Sequence, residues 1–166
     1  MNLIYKIWTK IVYDIPNFIL NVWKYRKPLY FDRDFEDYGK LYFLEIGINS
    51  MIEHFEKSGF EVLISNEKKI IKMRRATEIL KNIRESAYIE MAEKELGSIP
   101  NFNLNSEYSH LESLHISNIV KKSIELEEKE WDELMLIFKG QVYSSFDPNK
   151  DFYEQFDGSG LRNWWN

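Results

Sequence analysis

Apolar residues recur at every third or fourth position through most of this 166-residue chain. Such spacing places them on one side of an α-helix and predicts a helix that buries that side. A clear example follows Ser117, where the apolar side comprises Val120, Ile124, Trp131, Leu134 and Phe138. From these patterns we predict an all-α fold, a compact helical bundle of about four main helices with additional short helices and an ordered C-terminal tail.

Proline, glycine and candidate capping side chains set the expected helix boundaries in the first part of the chain. We predict a helix over 2–13, a short helix over 16–25 that opens with Pro16, a connector over 26–33 that contains Pro28, and a long helix that follows Asp34 as its N-cap and ends at about Ser58. Gly59 is the expected stop of this long helix, because glycine readily adopts the left-handed conformation that ends many helices.

The remainder of the chain is divided in the same way. We predict a helix over 67–84 capped by Asn66, a further helical piece over 85–96 that stops at Gly97, and a polar loop over 97–109. After the loop we predict a short helix over 111–116 and a long helix over 118–139, which is capped by Ser117 and ended by Gly140. An irregular segment is expected over 141–155. Because no boundary between domains is evident, we expect a single helical domain over residues 1–166.

Composition excludes several classes of protein. The sequence has no cysteine, which rules out disulfides and zinc–thiolate sites within it. Its formal net charge of -5 argues against a general nucleic-acid-binding surface, so no nucleic-acid partner is expected. The aromatic-rich N-terminal segment is interrupted by Lys6, Lys10, Asp14 and Pro16, so neither a membrane-spanning helix nor a signal peptide is expected. A helix that lies on a membrane surface stays open as an alternative.

Several charged residues fall in or beside the apolar stripes, where an unpaired charge would be costly. They are Lys69 and Lys72 in the predicted helix 67–84, Glu127 and Glu130 in the predicted helix 118–139, and Glu45 in the predicted long helix that follows Asp34. Arg75, also in the predicted helix 67–84, is a third cation of the candidate site. The structural interpretation is an internal salt bridge between Lys69 or Lys72 and Glu127. In the functional interpretation the three cations hold phosphates and the three carboxylates hold a metal ion.

The feature that most favours an enzyme is the spacing of Glu127, Glu130 and Glu133. Glu-x-x-Glu spacing occurs in all-α nucleotide pyrophosphohydrolases, whose carboxylates hold Mg²⁺. The same spacing is also common on solvent-exposed helices. We therefore predict no catalytic residue, no metal site and no cofactor, and we expect Mg²⁺ only under the pyrophosphohydrolase interpretation.

The chain ends in the aromatic sequence Asp157-Gly-Ser-Gly-Leu-Arg-Asn-Trp-Trp-Asn166. Chain termini are usually disordered unless contacts hold them. Two exposed tryptophans would each forgo about 4–6 kcal/mol of burial free energy, as an upper bound. We expect the glycines to act as a hinge. The tail residues then fold back on the aromatic-rich first third or bind a partner; they are Leu161, Arg162, Trp164 and Trp165.

Short motifs occur in a fixed order over most of the chain. They are Phe18-x-x-Asn21-x-x-x-x-Arg26-Lys27-x-Leu29, Arg33-x-x-x-Asp37-Tyr38, Lys68-Lys69-Ile70, Met73-x-Arg75-Ala76-x-x-Ile79-Leu80, Glu130-Trp131-x-Glu133-Leu134, Lys139-Gly140 and the ending Asp157-Gly-Ser-Gly-Leu-Arg-x-Trp-Trp. In this ordered set the sequence resembles a family of proteins encoded by tailed bacteriophages, although Asn166 stands where an acid is expected. The resemblance implies a phage origin and action in the cytoplasm of an infected bacterium. It brings no established activity and no catalytic residue.

These features favour a phage accessory protein that acts by binding a host or phage protein, for example in counter-defence or host takeover. Two alternatives stay open. One is a small-ligand protein, either a nucleotide-binding protein or a Mg²⁺-dependent all-α pyrophosphohydrolase. The other is a component of the virion or of its assembly. We therefore expect a protein partner, and a homo-oligomer stays open.

Overall fold

The computed structural model describes residues 8, 10–31, 37–58, 63–98, 110–142 and 146–164. These residues form helices, turns and irregular segments and contain no strand, which confirms the all-α prediction. The chain divides into two compact units, Met1–Gly47 and Ile48–Asn166. The single helical domain stays a prediction.

In the first unit a five-residue π-helix, Lys10–Asp14, leads directly into α1, Ile15–Phe31. No interruption therefore separates the segments expected as helices over 2–13 and 16–25, and most of the helix expected over 2–13 lies outside the described residues. Pro16 lies in the first turn of α1, at the junction with the π-helix, where its fixed φ suits a helix but its nitrogen donates no hydrogen bond.

α1 is longer than expected, because it continues through Pro28 to Phe31. The connector predicted over 26–33 is wrong as far as Phe31. A proline inside a helix removes one backbone hydrogen bond and crowds the preceding turn. Pro28 is buried, and the burial of its ring offsets part of this cost.

The helix α2, Asp37–Ser58, contains the boundary between the two units. Its end at Ser58 agrees with the prediction, whereas the expected cap Asp34 and the expected stop Gly59 lie outside the described residues. Within the first unit the ring of Tyr25 on α1 contacts the ring of Phe43 on α2, with centroids 5.6 Å apart.

Four helices contribute to the core of the second unit. The C-terminal part of α2, from Ile48, is followed by α3, Leu63–Arg84, α4, Tyr88–Leu96, α5, His110–Lys139, and the short α6, Phe152–Gln155, and then by a 3₁₀ turn over Leu161–Trp164. The most completely buried apolar side chains of the four long helices are Ile48, Met73, Ala76, Ile79, Leu80, Ala92, Ile119 and Leu134. The apolar residues of the predicted helix 67–84 therefore form the buried side of α3.

Two predicted helix starts are wrong. α3 begins at Leu63, so Asn66 lies inside the helix, where it is buried. α5 is continuous from His110, so Ser117 is an exposed residue inside the helix and the segment 111–116 belongs to its first turns. Asn and Ser favour caps, and inside a helix each costs about 0.5–0.7 kcal/mol relative to Ala. Among the described residues the buried Oδ1 of Asn66 has no hydrogen-bond partner, which adds about 1–3 kcal/mol. Burial of the apolar sides outweighs these costs.

The predicted helix ends at Gly97 and Gly140 are confirmed. Both glycines have a positive φ, 98° and 73°. Their N–H groups donate to Glu93 O at 2.8 Å and to Leu136 O at 3.0 Å, which satisfies carbonyls of the last turn. Of the polar loop expected over 97–109, residues 99–109 lie outside the described part of the chain.

The turn Glu85–Ala87 separates α3 from α4 and redirects the chain so that α4 packs against α5. Ser86 adopts a φ of 52°, the left-handed conformation that L-residues seldom adopt. In the segment expected to be irregular, the short α6 is capped by Asp151, whose carboxylate accepts a hydrogen bond from Tyr153 N–H at 2.7 Å. Within the described ranges, no helix is both long and apolar enough to cross a membrane.

Candidate functional site

Arg75 of α3 is the centre of a charge network that faces α5. Its guanidinium donates Nε to Glu133 Oε1 at 2.9 Å and Nη2 to Glu133 Oε2 at 2.7 Å. Nη2 also donates to Glu130 Oε1 at 2.8 Å, and Nη1 lies 3.1 Å from Glu78 Oε2. The hydrogen bond to Glu133 is the main cause of the raised pKa of Arg75. Three carboxylates thus engage this one cation.

Glu130 connects the network to α4. Its Oε2 accepts hydrogen bonds from Tyr88 Oη at 2.9 Å and from Asn82 Nδ2 at 3.1 Å. Burial by itself would raise the pKa of Glu130, but the hydrogen bonds from Asn82, Arg75 and Tyr88 outweigh it and the pKa lies below its usual value. The pKa of the buried Tyr88 is raised, first by burial and then by its hydrogen bond to Glu130. Glu130, at the edge of its apolar stripe, is therefore satisfied by Arg75, Asn82 and Tyr88.

A cavity of about 140 Å³ lies beside this network, and Met91, Leu126 and Lys129 complete its lining. Pockets that hold small ligands usually have volumes of about 300–1,000 Å³. The space next to Arg75 and Glu130 is therefore smaller than a nucleotide site requires.

The two lysines of the predicted ligand site have different surroundings. Lys69 is 5 % exposed, and its Nζ lies 5.2 Å from the centroid of the Phe55 ring, a cation–π distance. Lys72 Nζ lies 3.8 Å from Asp157 Oδ2, so its ion pair is with the C-terminal tail and not with Glu127. Both groups of this pair are about one-third exposed or more, and such pairs contribute little to stability.

The predicted carboxylate ligands belong to both units. Glu45 is a half-buried residue of the first unit; in the second unit Glu127 is half-buried on α5 and Glu130 is held by Arg75. Among the described residues, no group of three or more His, Cys, Asp or Glu side chains is arranged to hold a metal ion. The phosphate-and-metal interpretation of these six residues stays a prediction.

The tail docks on the second unit through its backbone. At Gly158, with φ 86°, an added Cβ would collide with the carbonyl group of Lys68 on α3. The N–H of Gly160 donates to Ile137 O near the end of α5 at 2.7 Å. The tail thus passes from α3 to the C-terminal end of α5. We call residues Asp157–Trp164, in this position, the tail clasp.

Trp164 anchors the tail clasp. Its side chain is 2 % exposed, and its ring meets Phe138 of α5 edge-on, with centroids 6.0 Å apart. Its Nε1 donates to Gly158 O at 2.9 Å, so the one polar atom of the indole is satisfied. Leu161 is half-buried and Arg162 is exposed. Trp165 lies outside the described residues.

The tail was expected to cover the aromatic first third of the chain. Within the second unit, Trp164 contacts α5 and the tail itself. These contacts follow from the close backbone approach at Gly158 and Gly160, which a pattern of aromatic residues does not reveal. Cover of the first third by the tail stays a prediction.

Polar side chains hold the segment that leads into the tail clasp. Lys68 Nζ donates to the carbonyl oxygens of Tyr153 and Glu154 at 2.8 Å and 3.1 Å, near the C-terminal end of α6. Gln141 donates to Gln155 O at 3.1 Å and accepts from Asp157 N–H at 2.9 Å. Two basic side chains of α3, Lys68 and Lys72, therefore contact the protein's own C-terminal segment.

One surface was missed by the sequence patterns. An open groove of about 600 Å³ lies along the C-terminal part of α5; its lining is Asp132, Met135, Leu136, Phe138 and Lys139. We call it the α5 groove. Met135 and Leu136 are 60 % and 67 % exposed. Both fall outside the predicted apolar stripe, and these extra apolar residues were the signal for a second apolar side.

The stripe predicted to be buried on this helix is partly wrong. Val120, Ile124 and Trp131 are exposed and continue the surface of the α5 groove along the helix. The buried side is rotated from them and contains Ile119, Leu134 and Ile137. α5 is apolar on two sides, and periodicity by itself does not show which side faces the core.

Comparisons of the chain with protein-family models, with curated proteins and with solved structures found no match. The two candidate features of the second unit are the closed network around Arg75 and the open, apolar α5 groove.

Proposed function

We propose that the protein acts by binding another protein, and that the α5 groove is the binding surface. The observation that carries this proposal is the exposure of Met135 and Leu136 beside a groove of about 600 Å³. Contiguous apolar surface of this kind usually marks an interaction site. Trp131 lies one turn before Met135 on α5, and tryptophan is a residue type that often dominates the binding energy of an interface.

The charges around the α5 groove define the chemistry of the partner. Between Glu125 and Glu133, α5 contains six acids and one lysine. Arg75 engages Glu130 and Glu133. The other four acids in this range are Glu125, Glu127, Glu128 and Asp132. Helical spacing places Glu128 and Asp132 beside Trp131, Met135 and Leu136. The partner segment that fits is an amphipathic helix whose apolar side is flanked by lysine or arginine.

One observation supports protein binding over nucleotide binding. Arg75 and Lys72, which would have to hold phosphates, are engaged by carboxylates of the same chain.

The resemblance to tailed-phage proteins supports a setting in the cytoplasm of an infected bacterium, with a host or phage protein as the partner and counter-defence or host takeover as the role. A melting-temperature increase with a nucleotide and Mg²⁺ would instead favour the ligand alternative, and detection of the protein in purified virions would favour the assembly alternative.

The first test uses affinity purification from infected cells. The double substitution Met135→Asp with Leu136→Asp places two charges in the α5 groove, and Ile71→Asp, at a 64 % exposed residue of α3, is the matched control. We expect a partner that co-purifies with the wild type and the control to be lost with the groove variant. Circular dichroism checks that all three proteins are folded. Retention of the same partner by the groove variant would refute the proposal.

The second test addresses charge. A synthetic amphipathic peptide of leucine and lysine should bind the protein, and binding should weaken with added salt, whereas its leucine–glutamate counterpart should not bind. The substitution Glu128→Lys with Asp132→Lys should weaken binding of the lysine peptide. Equal binding of both peptides would contradict the proposed basic partner.

A further inference from the structure

The helix α1 exposes a broad apolar side. At about 3.6 residues per turn, seven large side chains share this side. All are at least 43 % exposed; they are Ile15, Phe18, Ile19, Val22, Trp23, Leu29 and Tyr30. The preceding π-helix extends the apolar surface with Ile11, Val12 and Tyr13, which are also exposed.

This apolar side is not the side with which α1 contacts α2. That contact includes the ring of Tyr25 against Phe43, at 5.6 Å between centroids. Arg26 marks the middle of the apolar side, because it lies between Val22 and Tyr30 on the helix surface. Tyr25 is one residue before Arg26 and is therefore rotated by about 100° from this middle. A large apolar surface of the first unit therefore remains in contact with solvent, which is unusual unless something binds it.

Positive charge accompanies this apolar surface. Residues 10–31 contain four basic side chains, Lys10, Lys24, Arg26 and Lys27, and one acid, Asp14, which gives a net charge of +3. The whole chain has a net charge of -5, so the rest of it has -8. The guanidinium of Arg26 lies 3.7 Å from the centroid of the Trp23 ring and holds a cation directly on the apolar side.

We infer that α1 binds an anionic membrane surface, with its apolar side inserted at the level of the lipid headgroups. A basic helix with Trp, Phe and Leu side chains on a broad apolar side has the composition of helices that lie in this plane. Trp and Tyr rings prefer the boundary between headgroups and hydrocarbon. Nearby lysine and arginine side chains are attracted to acidic lipids. No described helix is long and apolar enough to span the bilayer, so the attachment is peripheral.

Flotation of the full-length protein with lipid vesicles tests this inference. We expect binding to vesicles of equal parts phosphatidylcholine and phosphatidylglycerol, little binding to phosphatidylcholine vesicles, and weaker binding in high salt. Phe18→Asp with Ile19→Asp, and separately Lys24→Glu with Lys27→Glu, should each reduce the partition coefficient by about tenfold or more. Phe18, Ile19 and Lys27 are exposed, and circular dichroism checks that both variants are folded.

Ile71→Asp with Ile89→Asp is the matched control, because it changes two exposed apolar residues, 64 % and 47 % exposed, outside both α1 and the α5 groove. Its vesicle binding should equal that of the wild type. Absence of binding to anionic vesicles at low salt would overturn the inference, and so would unchanged binding by the Phe18 and Ile19 variant. A dimer that forms without lipid and is lost in the α1 variants, with no vesicle binding, would identify α1 as a contact between copies instead. None of these outcomes depends on the α5 groove.

Discussion

Gly140 and Gly160 meet backbone to backbone at the end of α5. A Cβ on Gly140 would lie 2.5 Å from Gly160 Cα, and the N–H of Gly160 already donates to Ile137 O at 2.7 Å. This approach brings the tail close enough for the ring of Trp164 to reach Phe138. Docking of the tail clasp therefore depends on glycine where a side chain would hold the two segments apart.

Replacement of Gly158 should be strongly destabilising. Its φ of 86° disfavours any L-residue, and a Cβ would collide with the carbonyl of Lys68. Gly158→Ala should lower the free energy of unfolding by about 2 kcal/mol or more in urea denaturation. Gly47→Ala is the matched control. An added Cβ at Gly47 meets nothing within 4 Å, so inside α2 the change should stabilise by about 0.5–1 kcal/mol. Equal effects of both changes would contradict the observed packing.

Truncation of Trp164 should remove the anchor of the tail clasp. Trp164→Ala empties a buried site and should cost about 3–5 kcal/mol of unfolding free energy. Trp164→Phe retains a ring next to Phe138 but loses the hydrogen bond to Gly158 O, so its cost should be about 1–3 kcal/mol. Trp23→Ala, at a 66 % exposed ring, should stay within about 0.5 kcal/mol. Thermal and urea unfolding followed by circular dichroism provide the measurement, and a tail that contributed nothing would leave all three alike.

The network around Arg75 should make stability depend on acid pH. The hydrogen bond from Arg75 lowers the pKa of Glu133, and the pKa of Glu130 is lowered as well, both from 4.5. Because these folded-state pKa values are depressed, the contribution to stability is present above about pH 4.5 and is lost as pH falls through the folded-state values. Melting temperatures between neutral pH and about pH 3 should fall less steeply for Glu133→Gln than for the wild type. Identical profiles for the two proteins would be inconsistent with the network.

Ser86 offers a stabilising substitution. Its φ of 52° lies in the left-handed region, which costs an L-residue about 1–2 kcal/mol. Ser86→Gly removes this cost but adds backbone entropy to the unfolded chain, so we expect a net gain of about 0.5–1 kcal/mol in unfolding free energy. Ser86→Ala keeps the Cβ and should bring no gain. A loss of stability with glycine would show that the Ser86 side chain has a stabilising role that outweighs the strain.

The closed charge network shows how far residue patterns can lead. The sequence placed Glu130 at the edge of an apolar stripe, among charges that needed partners, because helical phase depends only on positions along one helix. It named Arg75 only as a candidate phosphate ligand. It paired the inward charges differently, through Lys69 or Lys72 and Glu127. The hydrogen bonds from Tyr88 and Asn82 to Glu130 depend on how α4 and α3 pack against α5. The spacing of residues along a single helix does not predict such contacts between helices.

Local sequence by itself determined the all-α class, the end of α2 at Ser58 and the ends of α4 and α5 at Gly97 and Gly140, because helix formation and glycine conformation depend on near neighbours. It also indicated that the C-terminal tryptophans need cover. Only the tertiary structure decided where Trp164 docks and which apolar side of α5 faces the core. Both depend on contacts between segments far apart in the chain. Close packing selects among such contacts by the fit of atoms that periodicity does not describe.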